Sequence, residues 1–160
     1  MTDPGALKDA ELFTGLSDPQ CLAVAALARE RRVSAGETLF RMGEQAEAFY
    51  VIVRGRVELV FPLTIMGETR EVRFRTLEAG KTLAWSALVP PHRLTMSARA
   101  GTDVQLLAFE RAATMKLLQA QPGVGHLVMS NLAGVVATRF HEMLALWARE
   151  VQRNVSQTYR

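Results

Sequence analysis

Between residues 31 and 110 the chain never runs far without a glycine: Gly36, Gly43, Gly55, Gly67 and Gly80 cut it into short apolar-containing runs. Several of these runs alternate with a period of two, the pattern of strands that bury one face, because successive side chains of a strand point to opposite sides. Val57, Leu59 and Phe61 alternate with Glu58 and Val60, Val72 and Phe74 alternate with Arg73 and Arg75, and Met66-Gly67-Glu68 reads as the turn between the two runs. Roughly six or more short strands with no helical period between them predict an antiparallel sandwich or jelly-roll β-barrel, of which the jelly-roll barrel is taken.

The flanks change period. Across residues 7–30, Leu12, Phe13 and Leu16, then Leu22, Ala25, Ala26 and Leu27, recur at helical spacing, and Ser17-Asp18-Pro19 is a helix start. Two short helices are expected there. Beyond Arg111 a short helix is expected over 112–119, ended by Gln121-Pro122, and a long one over about 123–151. Along the long helix Val128, Leu132, Val135, Val136, Met143, Leu146, Trp147 and Val151 keep to one side. A stripe of about seven turns exceeds what a barrel of about 80 residues covers, so part of it is a candidate homodimer surface. The other reading folds the whole stripe back onto the barrel.

Composition limits the function classes. With 160 residues, 49% hydrophobic and 22% charged, the chain suits one globular domain that buries roughly 70% of its unfolded surface. The expected plan is helices about 6–30, barrel about 31–110 and C-terminal helices about 111–151. Nineteen Lys and Arg against 16 Asp and Glu give a net charge of +3 and a pI near 9.5. The basic residues do not cluster: Arg54, Arg56, Arg70, Arg73 and Arg75 are interleaved with Glu58 and Glu71, which reads as solvated strand faces rather than a nucleic-acid footprint. The lone Cys21 excludes a disulfide framework and any four-cysteine metal or iron–sulfur site. Residues 1–10 lack the basic-then-apolar order of a signal peptide, and no apolar run reaches the ~18 residues of a membrane span. A cytoplasmic protein with neither membrane nor direct nucleic-acid contact is expected.

Residues 31–54, RRVSAGETLFRMGEQAEAFYVIVR, followed by Gly55-Arg56-Val57-Glu58-Leu59, carry a specific ensemble. Gly36 precedes a short strand, then come Leu39-Phe40, the Gly43-Glu44 turn, the apolar run Phe49-Tyr50-Val51-Ile52 and Gly55-Arg56-Val57. Taken singly, each glycine is a barrel corner that needs a positive φ. Together with the helix–barrel–helix order, the ensemble resembles the cyclic-nucleotide-binding domain of the catabolite-activator and protein-kinase-regulatory-subunit superfamily, over about residues 12–147. The resemblance implies a non-enzymatic regulatory or sensory domain that signals through its C-terminal helix, with no required cofactor, a cyclic nucleotide as ligand, homodimerisation through that helix and a separate effector protein. The transcription factors of the superfamily carry a helix-turn-helix after the long helix, and residues 150–160 are too few for one.

In the family the ligand phosphate sits in a cassette that reads glycine-glutamate, a small residue and leucine, then a loop, then arginine, a serine or threonine, and alanine. The glutamate accepts from the ribose hydroxyl and the arginine pairs with the phosphate. Here the stretch is Leu83-Ala84-Trp85-Ser86-Ala87-Leu88, followed by Val89-Pro90-Pro91-His92-Arg93-Leu94-Thr95-Met96-Ser97-Ala98-Arg99-Ala100. The glycine becomes Ala84, the glutamate Trp85 and the arginine Leu94, while Thr95 keeps the hydroxyl. Arg93 falls one residue early, so its side chain starts on the opposite face unless the Pro90-Pro91 loop shifts the register. Losing the ribose partner costs about 0.5–1.5 kcal/mol and losing the charged phosphate partner about 1.5–3 kcal/mol, together a few hundredfold in affinity. This argues against ordinary cyclic AMP or cyclic GMP binding.

The ligand-binding candidates are therefore Ala84, Trp85, Ser86, Ala87, Arg93, Thr95 and Arg139. Trp85 is either an aromatic platform for a different ligand or a plug in the vacated pocket. Arg139 matches the long-helix position that faces the purine in the family, or is a solvent or dimer-rim arginine. A plugged pocket would leave a ligand-free protein-interaction scaffold. His92, His126 and His141 are too dispersed for the metal triad of a cupin-like enzyme, and neither Ser86 nor Cys21 has the surroundings of a nucleophile.

Overall fold

The computed structural model describes residues 7–158. Helix α1 (Asp18–Ala25) leads into eight strands: β1 (Arg29–Val33), β2 (Thr38–Phe40), β3 (Ala48–Arg54), β4 (Val57–Ile65), β5 (Glu68–Leu77), β6 (Thr82–Leu83), β7 (Ser97–Ala100) and β8 (Val104–Glu110). A short 3-10 helix (Trp85–Leu88) follows β6, and α2 (Arg111–Ala120) and α3 (Pro122–Thr158) end the chain. The strands form two antiparallel sheets, β1-β8-β3-β6 and β2-β7-β4-β5, packed face to face as in a jelly roll, without a hydrogen-bonded seam closing them into a continuous barrel.

The core follows from the alternation, with two corrections. In β3 the adjacent Val51 and Ile52 are both buried although the register against β8 is regular through Ile52; their partners Leu107 and Leu106 are buried too, so both faces of the sheet are covered there. In the β4–β5 pairing Phe74 is an extra residue of β5 opposite Leu59 and Val60, and Leu59 and Val60 are both buried while Phe61 is only half-buried, contrary to the simple alternation. Phe13, Phe49 and Phe109 meet at the centre, with Phe49 stacked on Phe109 at 5.0 Å and Phe13 edge-on to Phe109 at 5.3 Å. The hairpin turn is Met66-Gly67, both residues at positive φ (52° and 82°), and Glu68 already belongs to β5. That pair of left-handed residues matches the right-handed strand twist.

Of the first predicted helix, Leu7 and Lys8 are helical and residues 9–15 are not. These residues make successive turns, with Ala10 N–H donating to Leu7 O, Phe13 to Ala10 and Leu16 to Phe13 at 2.9–3.2 Å. Gly15, at φ 90°, ends these turns before α1. In α1 the buried residues are Cys21 and Val24, while Leu22 points outward. Burial pushes the Cys21 thiol up, and its Sγ lies 3.8 Å from Leu16 O. The opening residues 1–6, part of the stretch read against a signal peptide, lie outside the described residues.

Gly55, between β3 and β4, has φ 92°, and a Cβ there would stand 2.3 Å from Asp103 O. A second close approach joins the last two helices: a Cβ on Gly125 would stand 2.6 Å from Leu118 O. Over its first half α3 buries Val124, Val128, Leu132 and Val135, and Asn131 Nδ2 donates to Leu12 O and Thr14 O. From Phe140 onward its apolar residues are exposed: Phe140, Met143, Leu146, Trp147 and Val151. The stripe therefore splits, half on the barrel and half uncovered. No described helix is long and apolar enough to cross a membrane.

Candidate functional site

A cavity of about 180 Å³ lies between the β2-β7-β4-β5 sheet and α3. Its barrel side is Phe40 of β2, Leu59 of β4, Phe74 of β5, the Ala84-Trp85-Ser86 start of the 3-10 helix and the Leu94-Thr95-Met96 approach to β7. Its other wall is α3 itself, through Val136, Arg139, Phe140 and Met143. The sequence candidates Ala84, Trp85, Ser86, Thr95 and Arg139 all line it.

Ala87 and Arg93 do not. Ala87 is fully buried in the core, on the side of the 3-10 helix turned from the cavity. Arg93 fails for the reason that register predicts. Gly43 N–H donates to Leu94 O at 2.8 Å and Leu94 N–H to Glu44 O at 2.9 Å, which fixes Leu94 against the 43–44 turn with its side chain inward. The neighbouring Arg93 must then point outward, where its Nη1 donates to Gly43 O at 3.0 Å. The prolines do not shift the register.

Ala84, at the position of the family's glycine, has a left-handed backbone at φ 55° and ψ 36°. Trp85 is half-buried and walls a cavity that stays open, so the indole does not fill the vacated space. Arg139 is neither a solvent nor a rim residue: its side chain is 13% exposed. Its Nη2 donates to Thr82 O at 2.8 Å and to Glu11 Oε1 at 3.4 Å. Glu11 also accepts from Thr82 N–H at 2.8 Å and from Lys81 Nζ at 3.1 Å. Burial holds the Arg139 guanidinium below the usual arginine range, while Glu11 acts in the opposite direction. One carboxylate thus ties the N-terminal turns, β6 and α3 together, and a second tie runs from Arg75 of β5 to Glu142.

Sequence reasoning missed Phe40, Leu59, Phe74, Met96 and Phe140 as wall residues and Glu11 as the partner of Arg139. Phe140 was detectable, since 136, 140, 143 and 147 are spaced at i, i+4, i+7 and i+11 on one helical face. Nothing local marks Glu11.

Elsewhere several of the scattered arginines are paired with carboxylates, among them Arg70 with Glu68. Glu58, on β4, accepts from Arg99 Nη2 at 2.8 Å and Arg73 Nη1 at 3.3 Å, and hydrogen bonds from Arg99 and then Arg73 hold its carboxyl below the usual carboxylate range. Among the described residues no three of His, Cys, Asp and Glu come together as a metal site.

A jelly roll with this cassette turn, closed by a long C-terminal helix, defines a cyclic-nucleotide-binding fold. The chain belongs to the cyclic nucleotide-binding domain family, which it matches over residues 30–121. It is 28% identical over 136 residues to the cyclic AMP receptor protein of Thermus thermophilus, covering 85% of this chain and 60% of that one. In structure it is similar to the Thermus thermophilus catabolite activator protein (27% identical, TM-score 0.72, covering 87% of this chain and 63% of that one). It is also similar to the N-terminal domain of a transcriptional regulator from Streptomyces coelicolor A3(2) (25% identical, TM-score 0.71, covering 86% and 94%).

Proposed function

We propose that this chain is a non-enzymatic sensor domain whose cavity takes a small ligand and whose α3 carries the state of the cavity to a second copy of the chain, and from there to a separate effector protein. The observation that carries the reading is that α3 is the cavity wall. A ligand touching Val136, Arg139, Phe140 and Met143 acts on the helix with no intermediary, and differential contact shifts a two-state equilibrium. The homodimer is assigned to the uncovered half of the stripe, centred on Trp147, which is 65% exposed. A cytoplasmic location and the absence of direct DNA contact belong to the same proposal; a salt-dependent gel shift with duplex DNA would count against the latter.

The competing reading, a ligand-free scaffold with a plugged pocket, requires an indole that fills the cavity, and a half-buried Trp85 beside open space supports it poorly. The deciding experiment is calorimetric titration with cyclic AMP and cyclic GMP to millimolar concentration. With Leu94 in the arginine position and Arg93 turned outward, neither is expected to bind tighter than about 1 mM. Binding below about 10 μM would restore the nucleotide-sensor reading of the family and require another partner for the phosphate.

A further inference from the structure

We infer that the cavity selects an uncharged, apolar ligand of one or two aromatic rings in place of a sugar phosphate, a reading that rests on the sensor function proposed above. Charge decides first. Arg139 is the one cation among the lining residues, and it is already neutralised by Glu11 and bonded to Thr82 O. A phosphate entering at the cassette would meet Leu94 and Met96, each less than a tenth exposed, and with hydroxyls but no free cation to offset it, a buried anion loses more hydration than it regains. Size decides next. An apolar cavity of about 150 Å³ stays dry and accommodates benzene, whereas sites for drug-sized molecules run to about 300–1,000 Å³. At about 180 Å³ this cavity fits the smaller class. Shape agrees, because Phe40, Phe74, Trp85 and Phe140 approach it from both walls and offer ring faces and edges to a planar guest. Ser86 and Thr95 supply hydroxyls for a single ring N–H or O–H.

Indole is the probe. Calorimetry and thermal melting of the full chain are expected to show saturable indole binding below about 1 mM, with cyclic AMP giving none in that range. Leu94→Arg introduces the cation that a phosphate would need and an apolar guest would not, so it should weaken indole at least about tenfold. Should that variant fold poorly, Val136→Phe, at a half-buried wall position, should weaken indole by about the same factor without lowering the melting temperature. Absence of saturable indole binding, or cyclic AMP binding below about 1 mM that Leu94→Arg strengthens, overturns the ligand class. The sensor reading is tested separately by hydrogen exchange over residues 136–143 with whichever compound binds. Unchanged exchange under saturation overturns signalling and leaves the ligand class standing, whereas slowed exchange supports both.

Discussion

Ala84 stores strain at the mouth of the cavity. A side chain at φ 55° costs about 1 kcal/mol relative to glycine, so Ala84→Gly should raise stability by about 0.5–1 kcal/mol, measured by denaturant melting. Next to it, Trp85→Ala should cost about 1–2 kcal/mol, because only part of the indole is withdrawn from water. A loss of about 3–5 kcal/mol, the cost for a fully buried large aromatic, would identify a plug instead. At this scale the sequence was legible wherever side-chain direction follows from parity. Leu94 facing in and Arg93 facing out follow from their being neighbours, once a backbone pairing with the 43–44 turn holds one of them. Glu11 was opaque because its role depends on the N-terminal turns returning across β6 to the long helix, and no local pattern encodes that return.

Among the elements, the strands were legible from their glycines and alternation, and their bulges were not. The extra residue Phe74 leaves the hydropathy pattern almost unchanged while shifting the register of β5 against β4. The long helix was found with its start displaced by one residue, but it continues past the expected end at 151 to Thr158, since nothing between those residues stops it. The first helix was placed too far along the chain: Leu7 and Lys8 are helical, while the helical spacing at Leu12 and Phe13 falls in turns. The uncovered half of α3 makes a prediction of its own. Trp147→Asp places a charge in the exposed stripe and touches no buried residue, so a dimer measured by sedimentation should dissociate at least about tenfold more readily. The melting temperature extrapolated to low protein concentration should stay the same. An unchanged dimer would remove this face as the interface.

For the whole molecule, acid stability follows from the arginine-clamped carboxylate. Because the folded-state pKa of Glu58 lies below the ordinary 4.5, the unfolded chain binds more protons between the two values. The stabilisation is complete above about 4.5 and is lost as pH falls toward the folded value. Glu58→Gln should therefore lower the melting temperature at pH 7 and flatten its fall between pH 5 and 3, read by calorimetry at constant ionic strength. A variant that tracks the native acid slope would assign the effect to other carboxylates.

The contact between Gly125 and Leu118 bears on how far a small change at the cavity can travel. With no room for even a methyl group at that crossing, the start of α3 is packed directly on α2, and under the proposed signalling that crossing is the fulcrum. The helix has 37 residues and so extends about 55 Å. The cavity wall at 136–143 sits roughly 20–30 Å along it. A 1 Å push there becomes about 2 Å at the tip of a rigid rod. Under the proposed signalling, a displacement of that size at the far end is one that a distance label near Gln157 would register, and its size is set by the length of α3.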